Sequence, residues 1–231
     1  MKILGIIPSR YSSVRFPGKP LADILGKPMI QRVYEAAAKS KYLDDVMVAT
    51  DDKRIFDCAK GFGARVLMTP ECNSGTDRLA FVVKKIGCEI AVNIQGDEPM
   101  MRPEIIDAAV RPLVADKNVL ISTVATIMDG DSEKNDPNSV KVILDKNNFA
   151  IYFSRLPLPN SLKHIGLYAY RKNFLEKFSR MAQTPLELAE KLEQLRILEN
   201  GYKIYVAKTK YDTIAVDTKS DLERVKKCLR K

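Results

Sequence analysis

Three cations share one short loop near the start of the chain. Arg10, Arg15 and Lys19 stand among Ser9, Ser12, Ser13 and Gly18, so cationic side chains and exposed backbone N–H groups can converge on a polyphosphate, a triphosphate being the natural guest. The loop contains neither GxxxxGKS/T nor GxGxxG, which sets it apart from Walker-type and dinucleotide-binding loops. The same composition also describes a solvated basic loop. Asp97 and Asp217 each follow an apolar run. A hard cation such as magnesium takes one or two carboxylates together with phosphate oxygens and water, whereas a strand-end aspartate can equally be a turn former through Asx hydrogen bonds. Arg155 offers a fork suited to a carboxylate. His164, the single histidine of the chain, could donate to a sugar hydroxyl or be a satisfied histidine at the edge of the core. Farther on, Glu187, Glu190, Glu193 and Gln194 occupy polar positions of a helical pattern, facing either a polyhydroxylated ligand or water.

The elements that must position these groups follow from periodicity. Residues 3–8 form an apolar run that ends in the basic loop, 28–39 carry apolar residues at helical spacing, and 46–49 are apolar and β-branched. This strand-helix-strand alternation continues with a helix over 54–61, a strand over 65–68, a helix over 76–86 and a strand over 90–94 closed by the turn at 95–99. It predicts an α/β fold with a mainly parallel sheet flanked by helices. Later segments are less regular: a helix over 104–114 and extended runs over 120–127 and 140–144 suggest a small antiparallel lobe. One long helix is expected over 186–200, opening near Pro185 and capped by Gly201. Strands follow over 202–207 and 214–216, then a closing helix over 220–229 with Thr218 or Ser220 as N-cap. Ligands bind beyond the carboxyl ends of strands in open α/β sheets, which is where the basic loop, the 95–99 turn and Asp217 all fall.

With 231 residues, 45% hydrophobic and 29% charged, composition is that of a globular domain able to bury a sizeable core. The apolar run at the N-terminus is too short for a signal segment, and no apolar tract is long enough to span a bilayer, so no membrane insertion is expected. Cys58, Cys72, Cys88 and Cys228 form no CxxC pair, which argues against a zinc cage and fits a reduced, cytoplasmic setting. A net charge of +9 favours some polyanion. Absence of Trp and of an aromatic-rich RNA-binding signature points away from nucleic acid. A non-catalytic basic nucleic-acid-binding protein is the rival reading from another class, motivated by that charge and by the cationic tail Lys226, Lys227, Arg230 and Lys231, which otherwise reads as the solvated end of a helix.

The blocks IIPSRYSSVRFPGKPL, ATDD, NSGTDRLA, VNIQGDEPM, DPNSVKVILD, FSR, HIGLYAY, TPLELAEKLEQLRILENG and VDT stand in this order along nearly the whole chain. Together they resemble the 3-deoxy-manno-octulosonate (KDO) cytidylyltransferases, also called CMP-KDO synthetases. The resemblance implies a nucleotide-diphospho-sugar transferase fold of glycosyltransferase-A type, one domain over 1–231 with a sugar-binding and dimerisation lobe around 120–200. It implies that Arg10, Arg15 and Lys19 hold the phosphates of CTP, and that Ser74, Gly75 and Gln95 line the nucleotide and sugar. Asp97 and Asp217 would hold magnesium, and Arg155, His164, Glu193 and Gln194 would contact the sugar acid. It further implies a cytoplasmic homodimer that transfers CMP from CTP to the sugar for lipopolysaccharide biosynthesis. Two departures from the family pattern stand out. Ala215 replaces a glycine that many members have, and only residues 156–163 separate Arg155 from His164. A connection that short would admit a modified octulosonate such as the 8-amino analogue. A sialic-type nonulosonate is the neighbouring substrate, and the HIGLYAY and LEQLR blocks favour the octulosonate.

Overall fold

Apolar residues that continue without alternation belong to strands covered on both faces. Ile3–Ser9 has that pattern and forms strand β1, with Leu4, Ile6 and Ile7 fully buried. The structure, a computed structural model, describes residues 1–13 and 15–230. After β1 and a 3-10 turn (Lys19–Leu21) come β2 (Asp23–Ile24), β3 (Lys27–Pro28), α1 (Met29–Ala37), β4 (Asp45–Thr50), α2 (Lys53–Gly61), β5 (Arg65–Met68), α3 (Gly75–Ile86) and β6 (Ile90–Asn93). The chain continues through α4 (Pro103–Ala115), β7 (Ile121–Thr126), α5 (Gly130–Asn135), β8 (Lys141–Leu144), β9 (Ala150–Ser154) and β10 (Leu162–Arg171). It ends with α6 (Lys172–Phe178), α7 (Pro185–Glu190), α8 (Leu195–Glu199), β11 (Tyr205–Lys208) and α9 (Lys219–Leu229). The chain divides into two compact units, one made of residues 1–107 with the segment from Thr213 onward, the other of Ala108–Asp212.

In the first unit the strands run parallel in the order β6-β1-β4-β5, with Ile6 facing Met47 on one side and Asn93 on the other. The chain steps outward from β1 to β4 and β5, then returns to the far side of β1 as β6. That reversal leaves a crevice at the carboxyl ends of β1 and β6, the usual ligand position in such sheets. Helices pack by apolar stripes: α1 buries Met29, Ile30, Val33 and Ala37, and α3 buries Leu79, Val82 and Val83. Side chains satisfy the free N–H groups at helix starts, through Asp52 at α2 and through reciprocal Ser74–Asp77 and Thr218–Asp221 pairs at α3 and α9. The last helix is anchored by Leu222 and Val225, which join Val216 in a cluster with Ile24 and Met29. No strand forms over 214–216. Val216 instead donates one backbone hydrogen bond to the Asp97 carbonyl, 2.8 Å away. Three residues do not make a ladder, but that bond fixes where Asp217 begins.

The second unit contains the expected antiparallel strands. β10 pairs antiparallel with β7 and β8, β8 pairs antiparallel with β9, and β11 lies parallel to β7. The single helix expected over 186–200 is two: α7 ends at Lys191, whose φ of 55° and ψ of 45° are left-handed, and α8 starts at Leu195. A buried ion pair explains the break. Arg196 Nε and Nη2 donate to Glu187 at 2.7 and 2.5 Å, a pair that a continuous helix would hold about 13 Å apart along its axis. Burial pushes the Glu187 carboxyl up, and the Arg196 guanidinium beside it outweighs this, leaving its pKa below the ordinary value. Leucine spacing alone carries no sign of that pair.

Candidate active site

The crevice of the first unit holds one compact charge cluster. Lys19 Nζ donates to Asp97 Oδ2 at 2.7 Å and to Asp217 Oδ1 at 3.2 Å, and its side chain is only 12% exposed. Arg15 Nη2 lies 3.1 Å from the second oxygen of Asp217. Two acids that are far apart along the chain therefore converge on one ammonium group. Backbone contacts hold both in place: the Val216 bond fixes the Asp97 carbonyl, and the Asp217 N–H donates to Asp221 Oδ2 at 3.1 Å. Gly96 brings the Asp97 turn against β1, where a Cβ would sit 3.0 Å from Ser9 Oγ and 3.3 Å from the Pro8 carbonyl.

The rest of the basic loop is braced from outside. Gly18 has φ +71°, and a side chain there would also meet the Tyr11 ring at 3.1 Å. Its N–H donates to the Tyr11 carbonyl at 2.9 Å. The Arg54 guanidinium lies over the Tyr11 ring, 3.2 Å from the ring centre. Arg54 is in turn held by Asp52, with Nε and Nη2 at 3.0 and 2.6 Å. A cavity of about 360 Å³ opens beside this stack, lined by Tyr11, Ser12, Asp51, Asp52, Arg54, Thr69 and Glu71. Arg10 reaches the Asn73 carbonyl at 3.5 Å. Next to Asn73, Ser74 caps α3, accepting the Asp77 N–H at 3.0 Å, and a Cβ on Gly75 would sit 3.6 Å from Pro8. The α3 N-terminus, the positive end of its dipole, thus abuts the end of β1, a position suited to an anion. Gln95, half-buried, opens the turn that carries Asp97.

Sequence reasoning did not single out Tyr11, Arg54 or the fully buried Arg78, which bonds Thr69 and reaches Asp51 at 2.6 Å. Arg78 ties the end of β4 and the segment after β5 to α3. Its signal was an arginine at a position of the 76–86 helix that also turns Leu79 and Val82 inward.

The remaining predicted residues belong to the second unit. Arg155 donates from Nε to the Glu190 carbonyl and from Nη1 to the Pro137 carbonyl, both at 3.1 Å. Glu190 accepts from Ser154 Oγ at 3.0 Å, from the Arg155 N–H at 3.1 Å and from the Tyr152 hydroxyl at 3.3 Å. His164 is buried. Its Nε2 pairs with Thr123 Oγ1 at 2.8 Å, and its ring meets Phe153 edge-on, 5.0 Å between centres. Burial lowers its pKa to about 3, so the ring is neutral. This is the satisfied-histidine arrangement. Glu193 lies on the rim of the Arg196 pair at 3.9 Å, and Gln194 is buried at the start of α8.

Among the described residues no group of three or more His, Cys, Asp and Glu side chains gathers to hold a metal unaided. Two carboxylates already sharing one cation nonetheless fit magnesium, which completes its shell with phosphate oxygens and water.

The chain is similar to known cytidylyltransferases along nearly its whole length. A family profile described as cytidylyltransferase matches residues 4–204. A 3-deoxy-manno-octulosonate cytidylyltransferase of Geobacter metallireducens is 50% identical over 97% of this chain and 96% of its own length. One from Solibacter usitatus is 50% identical over 99% and 95%. Among solved structures, a CMP:2-keto-3-deoxy-manno-octonic acid synthetase complexed with CTP superposes with a TM-score of 0.95 at 39% identity, covering 100% of this chain and 99% of that one. A 4-diphosphocytidyl-2C-methyl-D-erythritol synthase from Anaerococcus prevotii, 15% identical with a TM-score of 0.69 over 100% of this chain and 96% of its own, shares the fold.

Proposed function

Because this chain belongs to the cytidylyltransferase family, we propose that it transfers CMP from CTP to the anomeric hydroxyl of 3-deoxy-manno-octulosonate, releasing pyrophosphate. The observation that carries the reading is Lys19 held between Asp97 and Asp217 with Arg15 alongside, a paired-carboxylate and cation arrangement suited to a metal-bound triphosphate. The half-identical, full-length relatives supply the substrate class.

Nucleotidyl transfer places developing charge on non-bridging and leaving oxygens, so catalysis is mostly positioning and electrostatic stabilisation. Arg10, Arg15 and Lys19 offset the charge of the β- and γ-phosphates and of departing pyrophosphate. Ser74 and Gly75, at the α3 N-terminus, and Gln95 line the nucleotide. Asp97 and Asp217 would hold magnesium, which would polarise the α-phosphate and lower the pKa of the anomeric hydroxyl, removing the need for a protein base. On the sugar side we assign Arg155, through the guanidinium nitrogen not spent on backbone carbonyls, together with Glu193 and Gln194. His164 supports that surface from within as a neutral group. The short 156–163 connection makes the 8-amino octulosonate a candidate substrate beside KDO. We further read the protein as a cytoplasmic homodimer whose product serves lipopolysaccharide synthesis. Its free cysteines and the lack, among the described residues, of a helix long and apolar enough to cross a membrane are compatible with that reading.

The deciding assay is pyrophosphate release from CTP and magnesium with KDO, the 8-amino analogue and a nonulosonate offered in parallel. Asp97→Asn and Asp217→Asn should each lower turnover by about a hundredfold or more, the scale of losing a transition-state contact, with unchanged melting. Full turnover in either variant removes the metal assignment.

A further inference from the structure

We infer that Lys19, with Arg15, is a resident counter-cation which a divalent metal displaces, and that this exchange couples metal binding to triphosphate binding. The inference rests on the cytidylyltransferase reading of the same site.

The carboxylates are the fixed partners in the cluster. Asp97 is held through the Val216 N–H at 2.8 Å and by the close packing at Gly96, and Asp217 leads into the Thr218–Asp221 cap of α9. Lys19 reaches them on a flexible four-carbon stem, so the cation is the member free to leave. A magnesium ion on the same oxygens would sit at about 2.1 Å, where an ammonium 2.7 Å from Asp97 cannot also stay. Like charges that close repel strongly in a partly desolvated site.

Charge balance then sets the order of events. Lys19 and Arg15 neutralise the two carboxylates. A bare divalent ion would gain two ligands, find no third acid among the described residues, and strand two displaced cations. A metal carried with a triphosphate brings anionic oxygens that take both of them up. The two ligands therefore help each other, and the coupling is reciprocal.

The probe is Mn²⁺ alone, titrated without nucleotide or sugar by the electron paramagnetic resonance of the free ion. Wild-type protein should bind it weakly. Lys19→Met should tighten binding by about tenfold, and Arg15→Gln by a smaller factor, within the usual range of coupling energies. Unchanged or weaker Mn²⁺ affinity in both variants overturns the inference. Circular dichroism checks folding, and if Lys19→Met does not fold, Arg15→Gln decides. Pyrophosphate release by the wild type separates the two levels. Turnover with unaltered Mn²⁺ affinities sinks the exchange alone, whereas tightened Mn²⁺ binding without wild-type turnover sinks the enzymatic reading alone.

Discussion

A buried imidazole whose pKa lies at about 3, against an ordinary value of 6.5, makes His164 a source of acid sensitivity. Below about pH 6.5 the unfolded chain takes up a proton that the folded chain refuses. Stability from this residue is therefore complete above that pH and is lost progressively toward pH 3, by about 2 kcal/mol between pH 7 and pH 5. No other histidine competes, so the urea unfolding free energies at these two pH values should differ by about 2 kcal/mol less in His164→Gln than in wild type. Equal pH dependence in both proteins would mean that His164 is solvated. At this scale the sequence picked out candidate residues more readily than what they touch. Arg15, Lys19 and Asp97 fall in the segments that follow β1 and β6, while Asp217 was picked out by the apolar run before it, which forms no strand. The contact of Lys19 with Asp217 was not, since the two are separated by 198 positions and nothing local encodes the meeting. His164 was left open because a lone histidine carries the same letter whether it faces a ligand or a hydroxyl in the core.

Elements came out of the sequence where one physical rule dominated them. Unbroken apolar runs gave β1 and β6, and capping residues gave the start of α9. The Asp23–Ile24 and Lys27–Pro28 hairpin escaped notice because two-residue strands have no measurable alternation. It closes through an Asx bond from the Gly26 N–H to Asp23 Oδ1 at 3.0 Å. The α7–α8 break escaped because apolar spacing is blind to a side-chain pair formed nine residues apart. Arg196→Met would leave the Glu187 carboxylate, only 6% exposed, without its cation, at a cost of about 3–5 kcal/mol. Lys191→Gly should do the opposite, stabilising by about 1 kcal/mol because glycine enters the left-handed region without a Cβ clash. Urea denaturation reads both. An Arg196→Met protein as stable as wild type would show that the break has some other cause.

On the scale of the whole molecule, apolar exposure is uneven. Val114, Ile127, Ile151, Leu156, Leu186 and Leu188 are exposed in the second unit, against Met1, Leu25 and Met68 in the first, and the second unit is where our reading puts the contact between copies. Light scattering should return twice the protomer mass of 26.0 kDa, and replacing Ile151 and Leu156 with lysine should return the single value. A monomeric wild type at working concentration would remove the dimer. The first unit has a different peculiarity: it is assembled from two stretches of chain with the entire second unit between them. A ribosome that has delivered everything through Asp212 has made β1, β4, β5 and β6 but not Asp217, nor the Val216, Leu222 and Val225 side chains that cover Ile24 and Met29. During synthesis, then, the nascent chain carries its basic loop and Asp97 for the whole time the second unit is being translated, and on our reading of the site it stays inactive until the closing segment docks. On that reading activity arrives in one late step of long-range closure, not by degrees.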